Sequence, residues 1–370
     1  MKTNTNSTEP QNFSDLFSYG LADMEGIFSY SDLMTQLKQP SFRAGQLAQW
    51  LWVPKQGSRA KSYEDMNNLP LDLRAQLAEV APLFRGKVTC IQRSKDGTRK
   101  YLIQFADGSN VEAVGLPALE AGSQRLSVCV SSQAGCAMGC SFCATGQSGL
   151  VRSLSPGEIA EQVRIVSEDF GRRASSVVVM GQGEPFANYD ASLAGLRILN
   201  ASEGEGGFGI GARHITLSTA GIIKGIERLS QEPEQFTLAI SLHSAIQKTR
   251  DKLMPGLKTQ TLDKLEAVLI DYYEATHRRP SLEYALIHKV NTTPEEIVAL
   301  LNFARKTKAH VNLIPLNPTQ PHLKAADNVE AMHTAKVLRA EGIQTTLRKK
   351  RGSDINAACG QLAQKAHPCD

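Results

Sequence analysis

The sequence predicts an α/β protein whose core is a partial (β/α)6 barrel, preceded by a small accessory domain of helices and strands. Three observations predict this fold. Strand-like and helix-like segments alternate from about residue 126 onward, six such units fit before one closing strand, and uncommon residues follow the predicted strands. Regular βα alternation is typical of parallel sheets with helical crossovers. Six units are too few for an eight-unit barrel, so a partial barrel is expected.

The first part of the chain predicts a tail and the accessory domain. Residues 1–29 are expected to form a flexible N-terminal tail, because this end is polar and rich in Asn, Thr and Ser. Residues 30–115 are expected to form a small accessory domain. Apolar residues recur at helical spacing up to about residue 85. The pairs Asp96-Gly97 and Asp107-Gly108 then indicate hairpin turns between short antiparallel strands.

The core is assigned to residues 116–354, and a C-terminal segment to residues 355–370. Ser155, Pro156 and Glu158 favour a helix start, because Ser caps, Pro suits the first turn and Glu complements the helix dipole. The predicted strands are 126–132, 176–180, 214–219, 236–242, 281–287, 310–315 and 344–347. The predicted helices are 155–168, 190–200, 222–229, 262–274, 294–306 and 329–341.

The amino-acid composition limits which classes of protein this chain can belong to. Hydrophobic residues make up 41% of the chain and charged residues 21%, which is ordinary for a globular protein with a core. No run of roughly 18 apolar residues occurs, so no membrane span is expected. The N-terminus lacks the apolar stretch of a secretory signal, so the cytoplasm is the expected compartment. The net charge of +4 does not by itself imply nucleic acid.

Four of the seven cysteines fall between Cys129 and Cys143. An odd count without a secretory signal argues against a disulfide scaffold, and crowding indicates a metal site or catalysis. Cys136, Cys140 and Cys143 form a C-x3-C-x2-C loop after the first core strand. Three thiolates can hold an iron–sulfur cluster and leave one iron open. A structural zinc site with Cys129 as fourth ligand, or free thiols, remain alternatives.

The cysteine loop, with Phe142 before its last cysteine, resembles the signature of the radical S-adenosylmethionine (SAM) superfamily. The resemblance implies one [4Fe–4S] cluster on Cys136, Cys140 and Cys143. It also implies that SAM binds the open iron and is cleaved to a 5′-deoxyadenosyl radical. Gly183-Glu184-Pro185 resembles the segment that contacts the methionine amino group of SAM. Taken alone, this segment is explained about equally well as a SAM contact and as an ordinary turn after a strand.

The resemblance narrows to the RlmN/Cfr family of RNA adenosine methyltransferases, over about residues 31–362. The matching segments, which occur in the family's order, are Ser-Phe-Arg-Ala-Gly-Gln-Leu at 41–47, Leu-Ser-Val-Cys-Val-Ser-Ser-Gln at 126–133, the cysteine loop through Gly146, Leu-Ser-Thr-Ala-Gly at 217–221, Ser-Leu-His at 241–243, Asn-Leu-Ile-Pro-Leu-Asn-Pro at 312–318 and Arg-Gly-Ser-Asp-Ile-Asn-Ala-Ala-Cys-Gly-Gln-Leu at 351–362.

This resemblance implies roles for three further residues. Cys359 matches the cysteine that carries a methyl group from a first SAM. A second SAM then supplies the radical that activates this methyl group for addition to the adenine ring. Cys129 matches the cysteine that helps remove the ring proton and resolves the RNA–enzyme link by forming a disulfide with Cys359. Glu112 matches an acid/base glutamate. The implied SAM contacts are Gly183, Glu184, Ser218, Ser241, Leu242, His243 and Asn317.

Without the family, most of these residues have ordinary structural explanations. Cys359 and Cys129 could be small buried residues. His243 could be a core histidine with its hydrogen bonds made within the protein, and Glu112 a single carboxylate without a catalytic role. Cys90 and Cys369 match nothing catalytic and are interpreted as structural or incidental.

The RNA partner is expected to meet basic residues near the active site. Arg348-Lys349-Lys350-Arg351 directly precedes the methyl-carrier segment, and a looser basic set lies in the accessory domain. The looser set is Lys87, Arg93, Lys95, Arg99 and Lys100. The target adenosine would have to be unstacked before its ring edge could be reached. The resemblance also implies an electron donor such as flavodoxin as a second partner.

Two subfamilies methylate different carbons of adenine. The Arg-Lys-Lys-Arg-Gly segment at 348–352 favours the RlmN type, which methylates carbon 2 in 23S ribosomal RNA and in some cases in tRNA. Cys-Ala-Thr-Gly at 143–146 and Lys-Leu-Met-Pro at 252–255 resemble the Cfr type, which methylates carbon 8. Gln182 stands at the position before Gly183 where the family usually has Met. We favour carbon 2; a radical enzyme with a non-RNA substrate and a zinc-stabilised RNA-binding protein are the alternatives.

Overall fold

The computed structural model describes residues 15–22, 24, 26–53, 60–120, 122–317, 319 and 323–362. Most of the predicted N-terminal tail therefore lies outside the described residues, as do Pro318 of the predicted SAM-binding segment and Cys369. None of the helices in the described ranges is long and apolar enough to cross a membrane.

Three helices open the accessory region: α1 (Tyr30–Gln36), α2 (Phe42–Trp52) and α3 (Leu71–Val80). The Ser29 hydroxyl caps α1 by accepting a hydrogen bond from the Asp32 amide. The predicted apolar periodicity is confirmed, since Leu33, Leu47 and Leu51 are almost completely buried.

Two hairpins follow, formed by β1 (Lys87–Arg93), β2 (Arg99–Gln104) and β3 (Asn110–Pro117). Both predicted turns are confirmed. Gly97 and Gly108 have φ angles of +84° and +83°, a conformation that favours glycine. Strand β3 then pairs antiparallel with the first core strand, from Val114 opposite Cys129 to Pro117 opposite Leu126. The accessory strands therefore extend the core sheet.

The core contains the alternating elements that the sequence predicts, with four additions. Its strands are β4 (Leu126–Cys129), β5 (Gln133–Gly135), β6 (Leu150–Ser153), β7 (Ser176–Val179), β8 (Ile215–Thr219), β9 (Thr237–Ser241), β10 (Ser281–Leu286), β11 (His310–Pro315) and β12 (Thr345–Leu347). Its helices are α4 (Ala144–Gln147), α5 (Pro156–Asp169), α6 (Tyr189–Asn200), α7 (Ile223–Leu229), α8 (Gln247–Leu253), α9 (Leu262–Thr276), α10 (Pro294–Lys306) and α11 (Asn328–Ala340). The additions are β5, β6, α4 and α8.

The main sheet has ten strands in the order β1-β2-β3-β4-β7-β8-β9-β10-β11-β12. From β4 to β12 every neighbouring pair is parallel, whereas β1 to β4 are antiparallel. The α/β fold class predicted from the sequence is confirmed. The six strands expected in the barrel are β4 and β7 to β11, with β12 as the closing strand. Because parallel strands end at the same edge, the loops that follow them lie together.

Candidate functional site

The cysteine loop begins where β4 leaves the main sheet. The chain forms the small hairpin β5–β6, and the Cys136 amide donates to the Gly149 carbonyl at 2.8 Å. Gly135 is required here, because its φ is +80° and a Cβ atom would lie 2.1 Å from the Gly149 oxygen. The Cys143 amide donates to the Cys140 carbonyl at 3.1 Å. These contacts fold the loop back on itself, so the three thiols face one cavity.

This first cavity has a volume of about 160 Å³ and lies at the ends of the parallel strands. It brings together most of the predicted cluster and SAM residues. Those among its lining residues are Cys136, Cys140, Cys143, Gly183, Glu184, Ser218, Ser241, His243, Asn317 and Cys359. Leu242 does not line it; this side chain is fully buried, and its amide donates to the Glu283 carbonyl at 3.0 Å.

Glu184 is a buried carboxylate at one side of the first cavity. Burial raises the pKa of Glu184, while hydrogen bonds from main-chain amides oppose that shift. The donors are the Phe186 amide at 2.9 Å and the Ala220 amide at 2.6 Å. A carboxylate held in this way can receive an ammonium group. Neighbouring Gly183 has a φ of +99°, and a Cβ atom there would lie 2.6 Å from Gln133.

His243 is held as a neutral imidazole. Burial, together with the nearby positive charge of Arg250, lowers the pKa of His243 to about 3. Its Nδ1 accepts a hydrogen bond from the Ala285 amide at 3.0 Å, so the proton of the neutral ring is on Nε2. The ring packs edge-on against Phe142 of the cysteine loop, with 4.5 Å between ring centroids. His243 therefore offers one N–H donor and supports the cysteine loop.

A second cavity of about 720 Å³ adjoins the first. Cys359 and Asn317 line both cavities, and Cys129 lines the second. Both cysteines are free thiols, Cys129 buried and Cys359 accessible. The mouth of this cavity carries Arg125 and all four residues of the basic run 348–351. The structure thus places two thiols from distant parts of the chain beside a basic opening.

Both thiols are protonated at neutral pH. Burial raises the pKa of the Cys129 thiol to about 12, the nearby Cys359 adds to the shift, and Arg348 opposes it. Desolvation also raises the pKa of Cys359, again against the positive charge of Arg348. Arg348 is therefore the cation that favours a thiolate at either position.

The C-terminal segment is fixed from two sides by three hydrogen bonds. The Ala144 amide donates to the Gly360 carbonyl at 2.7 Å, and Thr145 Oγ1 donates to the Leu362 carbonyl at 2.6 Å. Asn317 Nδ2 donates to the Cys359 carbonyl at 3.4 Å. Cys359 is thereby held between the cysteine loop and the end of β11.

Glu112 lines neither cavity. It is 3% exposed, and Lys100 Nζ lies 3.0 Å from its carboxylate. Lys100 also donates to the Asn356 carbonyl at 3.4 Å. Glu112 shares a face of β3 with Val114, which packs in one apolar cluster with Cys129 and Ala357. The carboxylate therefore lies on the same side of β3 as the apolar cluster that includes Cys129.

Four of the predicted RNA-contacting cations are paired with carboxylates. Lys100 is buried against Glu112, and Arg99 Nη1 lies 2.6 Å from Asp169. Arg93 Nη2 lies 3.7 Å from Asp169, and Arg351 Nε lies 3.1 Å from Asp96. Contact of these residues with RNA stays a prediction. Lys349 and Lys350 are exposed.

Three functional candidates emerge only from the structure. Glu283 lines the first cavity, with its carboxylate accepting from Asn312 Nδ2 at 2.8 Å. Arg250 is buried and donates to the Ala220 carbonyl at 2.6 Å. Lys100 is the third candidate, because it forms a buried ion pair with Glu112. In the sequence it is only one member of a basic set. A polar residue inside an apolar strand, as at Glu283, is the one indication that the sequence offers.

The donor set fits an iron–sulfur cluster. Three free thiols face a cavity that also offers a carboxylate, a neutral imidazole and the Asn317 amide. Thiolates are the protein ligands of such clusters, and the remaining polar groups suit an amino-acid-like ligand of the open iron. Across the ranges that the structure describes, no three His, Cys, Asp or Glu side chains converge on a position for a single metal ion.

Comparisons with known proteins agree with this site. The sequence matches the radical SAM superfamily over residues 130–304. A probable dual-specificity RNA methyltransferase RlmN of Symbiobacterium thermophilum is 42% identical over 341 residues, which cover 91% of this chain and 89% of the relative. The corresponding protein of Geobacillus thermodenitrificans is 43% identical over 329 residues, covering 88% and 87%. The crystal structure of a radical SAM methyltransferase from Sphaerobacter thermophilus superposes with a TM-score of 0.84 at 38% identity, covering 94% of this chain and 98% of that one.

Proposed function

The chain belongs to the RlmN family of radical SAM RNA methyltransferases, and from that premise we propose that it methylates carbon 2 of an adenosine in 23S ribosomal RNA, with tRNA as a possible second substrate. One observation supports this proposal above the others. Cys359 lines both the cavity with the three-cysteine loop and the basic cavity that holds Cys129. A group carried on Cys359 can therefore be activated on one side and delivered on the other.

In this proposal, Cys136, Cys140 and Cys143 hold one [4Fe–4S] cluster. The bound cluster and SAM supply the carbon-centred radical that starts the reaction. Glu184 binds the amino group of SAM, because its carboxylate is fixed by two main-chain amides. His243 Nε2–H and the Asn317 amide provide further polar contacts to SAM. The remaining SAM contacts are assigned to Gly183, Ser218 and Ser241, which line the first cavity; the buried Leu242 supports that wall from behind and does not face SAM.

Cys359 is the proposed methyl carrier. Its sulfur first accepts a methyl group from SAM by displacement, for which the thiol must lose its proton. Arg348 favours the thiolate, since its charge lowers the pKa of Cys359. Hydrogen bonds at Gly360 and Leu362 keep the carrier between the two cavities.

Cys129 is proposed to resolve the covalent RNA–enzyme link. It lies with Cys359 in the second cavity, so its thiolate can attack the Cys359 sulfur. The S–S bond then forms as the bond between the Cys359 sulfur and the transferred carbon breaks, and this carbon keeps the electron pair and takes up a proton to become the methyl group of the base. Removal of the adenine ring proton is assigned to Cys129 with Glu112 as the acid/base group. Because burial keeps the Cys129 thiol protonated, it must lose this proton before it can act as base or nucleophile, and Arg348 is the cation that opposes the upward shift of its pKa.

RNA binding is proposed at the opening of the second cavity. Arg125, Arg348, Lys349 and Lys350 surround this opening and can contact phosphates. The volume of about 720 Å³ admits an unstacked nucleoside. Recognition of a base in this cavity therefore requires that the adenosine leave its stack.

The test is a methylation assay under anaerobic conditions. The protein is reconstituted with iron and sulfide, reduced with dithionite, and incubated with SAM and unmodified 23S RNA fragment or tRNA. Digested RNA is then analysed by mass spectrometry against 2-methyladenosine and 8-methyladenosine standards. We expect 2-methyladenosine from the wild type and none from Cys359→Ala. Formation of 8-methyladenosine would instead assign the chain to carbon 8, and 5′-deoxyadenosine without methylated RNA would contradict an RNA substrate.

A further inference from the structure

Residues 253–256 form a layer over one side of the cysteine loop, held by backbone hydrogen bonds and by the buried side chains of Leu253 and Met254. The Ser141 amide donates to the Leu253 carbonyl at 2.9 Å, and the Gly256 amide donates to the Met138 carbonyl at 3.1 Å. Residues 253–256, at the end of α8, therefore run along the loop that carries the three cysteines. No side chain intervenes between the two backbones at Gly256, because a Cβ atom there would lie 2.6 Å from the Met138 oxygen.

The outer side of this layer is exposed. Pro255 and Gly256 are both exposed, although the neighbouring Leu253 and Met254 are buried. A Cβ atom on Gly139 would lie 3.7 Å from the Pro255 ring, so the ring lies close to the cysteine loop. This is a place where a partner on the surface would come close to the cluster ligands.

Three exposed lysines surround the layer: Lys248, Lys252 and Lys258. None of them forms an ion pair within the part of the chain that the structure describes. The one carboxylate between residues 247 and 258, that of Asp251, accepts a hydrogen bond from Gln247 at 2.6 Å. The exposed charges of this segment are therefore mainly positive, and the nearby carboxylates of another element, Asp263 and Glu266 of α9, line a cavity with Gln247 at the start of the segment. We call the three lysines, with Pro255 and Gly256, the lysine face.

We propose that the lysine face is the docking site of an acidic one-electron carrier protein. The inference rests on the proposed function, in which the cluster must be reduced before SAM is cleaved. One electron passes from the carrier, which is oxidised, to the cluster, which is reduced. Redox partners form small, transient interfaces in which complementary charge mainly accelerates association. The lysine face has this character, and two backbone hydrogen bonds join residues 253–256 directly to the cysteine loop.

The lysine face is also separate from the proposed RNA site. The second cavity shares none of its lining residues with positions 247–258. A carrier on the lysine face and RNA at the second cavity would therefore bind without competing. An electron could then be delivered while the RNA substrate is in place.

The experiment compares two triple variants of the cluster-loaded, full-length protein. One replaces the face, Lys248→Gln, Lys252→Gln and Lys258→Gln. The control, Lys306→Gln, Lys308→Gln and Lys336→Gln, removes the same charge from exposed lysines on α10, α11 and the loop after α10. The control also removes the ion pairs of Lys306 with Glu266 and Lys308 with Glu274, which are exposed and contribute little. The probe is an acidic bacterial flavodoxin, whose Kd and rate of cluster reduction are measured at low and high salt.

We expect the face variant to bind flavodoxin about tenfold more weakly at low salt, with a similar decrease in reduction rate. The difference should shrink at high salt, because screening weakens exposed charges. Reduction by dithionite, a small reductant that needs no docking, should be unchanged in both variants. Equal behaviour of the face variant and the wild type toward flavodoxin would overturn the inference, as would a defect confined to RNA affinity. Methylation driven by dithionite tests the proposed function separately, so failure of one is distinguishable from failure of the other.

Discussion

Lys100 and Glu112 form an ion pair that is almost completely removed from water, with side chains 5% and 3% exposed. Removing one partner of such a pair leaves an uncompensated buried charge. We therefore expect Lys100→Met to lower the free energy of unfolding by about 3–5 kcal/mol, measured by urea denaturation. Lys95→Met, on the exposed turn of the same hairpin, is the matched control and should have little effect. Lys100→Met combined with Glu112→Gln should recover part of the stability.

A Lys100→Met variant as stable as the control would show that the carboxylate is satisfied without the ammonium group. The Lys100→Arg variant keeps the positive charge and should stay closer to the wild type in stability. The methylation rate of this variant shows whether the position of Glu112 matters for the reaction. A guanidinium is larger than an ammonium group, so it cannot fit between Glu112 and the Asn356 carbonyl without shifting one of them.

Single residues can be located from the sequence where their spacing is itself unusual. The cysteine loop is such a case, and all three thiols lie in one cavity as that spacing predicts. Arg250 and Glu283 cannot be located in this way. Their burial depends on partners from other elements, the Ala220 carbonyl and the Asn312 amide, and such pairings are not encoded by any local pattern.

At the scale of elements, the hairpin β1–β2 anchors the segment that carries Cys359. Asp96, in the hairpin turn, accepts hydrogen bonds from Arg351 Nε and from the Gly352 amide, each at 3.1 Å. Burial would raise the pKa of Asp96, but hydrogen bonds from Thr98, Gly352 and Ser94 outweigh it and hold the pKa well below 3.8. The charged carboxylate therefore connects the accessory strands to the segment that carries Cys359.

Because the pKa of Asp96 is lower in the folded than in the unfolded protein, its stabilising effect is complete above pH 3.8 and disappears as the pH falls below that value. We expect Asp96→Asn to reduce stability at pH 7 and to flatten its decline in acid, measured by denaturation across pH. Hydrogen exchange should also increase in residues 351–358. The control is Asp263→Asn, an exposed carboxylate in the first turn of α9. If both variants follow the wild-type profile, Asp96 does not anchor the segment.

Elements are predictable where apolar residues repeat, as in α5, β8 and α10. Helix α8 is not predicted, because its buried side chains include Arg250 and no apolar repeat marks the inward face. The sequence also predicts one continuous strand over residues 126–132. In the structure β4 ends at Cys129, and the Ser131 amide donates to Gln162 Oε1 at 2.8 Å instead of continuing the ladder. A side chain 31 positions away ends the strand, and a pattern of neighbouring residues cannot reveal that.

At the scale of the whole molecule, the sheet passes without interruption from the accessory strands into the core. The predicted boundary at residue 115 falls within β3, which pairs with β4. The division into domains stays a prediction, and so does RNA binding by the accessory part. What the continuous sheet does establish is a fixed position for β2 and β3 beside the two thiols, since Val114 lies opposite Cys129.

The net charge of +4 is too small to account for RNA binding by the surface as a whole, so the cations at the second cavity must act locally. We expect the double variant Lys349→Gln, Lys350→Gln to bind RNA more weakly. The slope of log affinity against log salt should also fall, by about 0.7 for each phosphate that is no longer neutralised, which is the value for single-stranded nucleic acid. Filter binding at several salt concentrations measures both. Lys306→Gln with Lys336→Gln is the control of equal charge.

Methylation of Cys359 by SAM without RNA, followed by mass spectrometry of the protein, should persist in the Lys349/Lys350 variant. An unchanged salt slope would place the RNA backbone elsewhere on the molecule, whereas failure of Cys359 methylation would mean that the substitutions disturb the carrier segment itself.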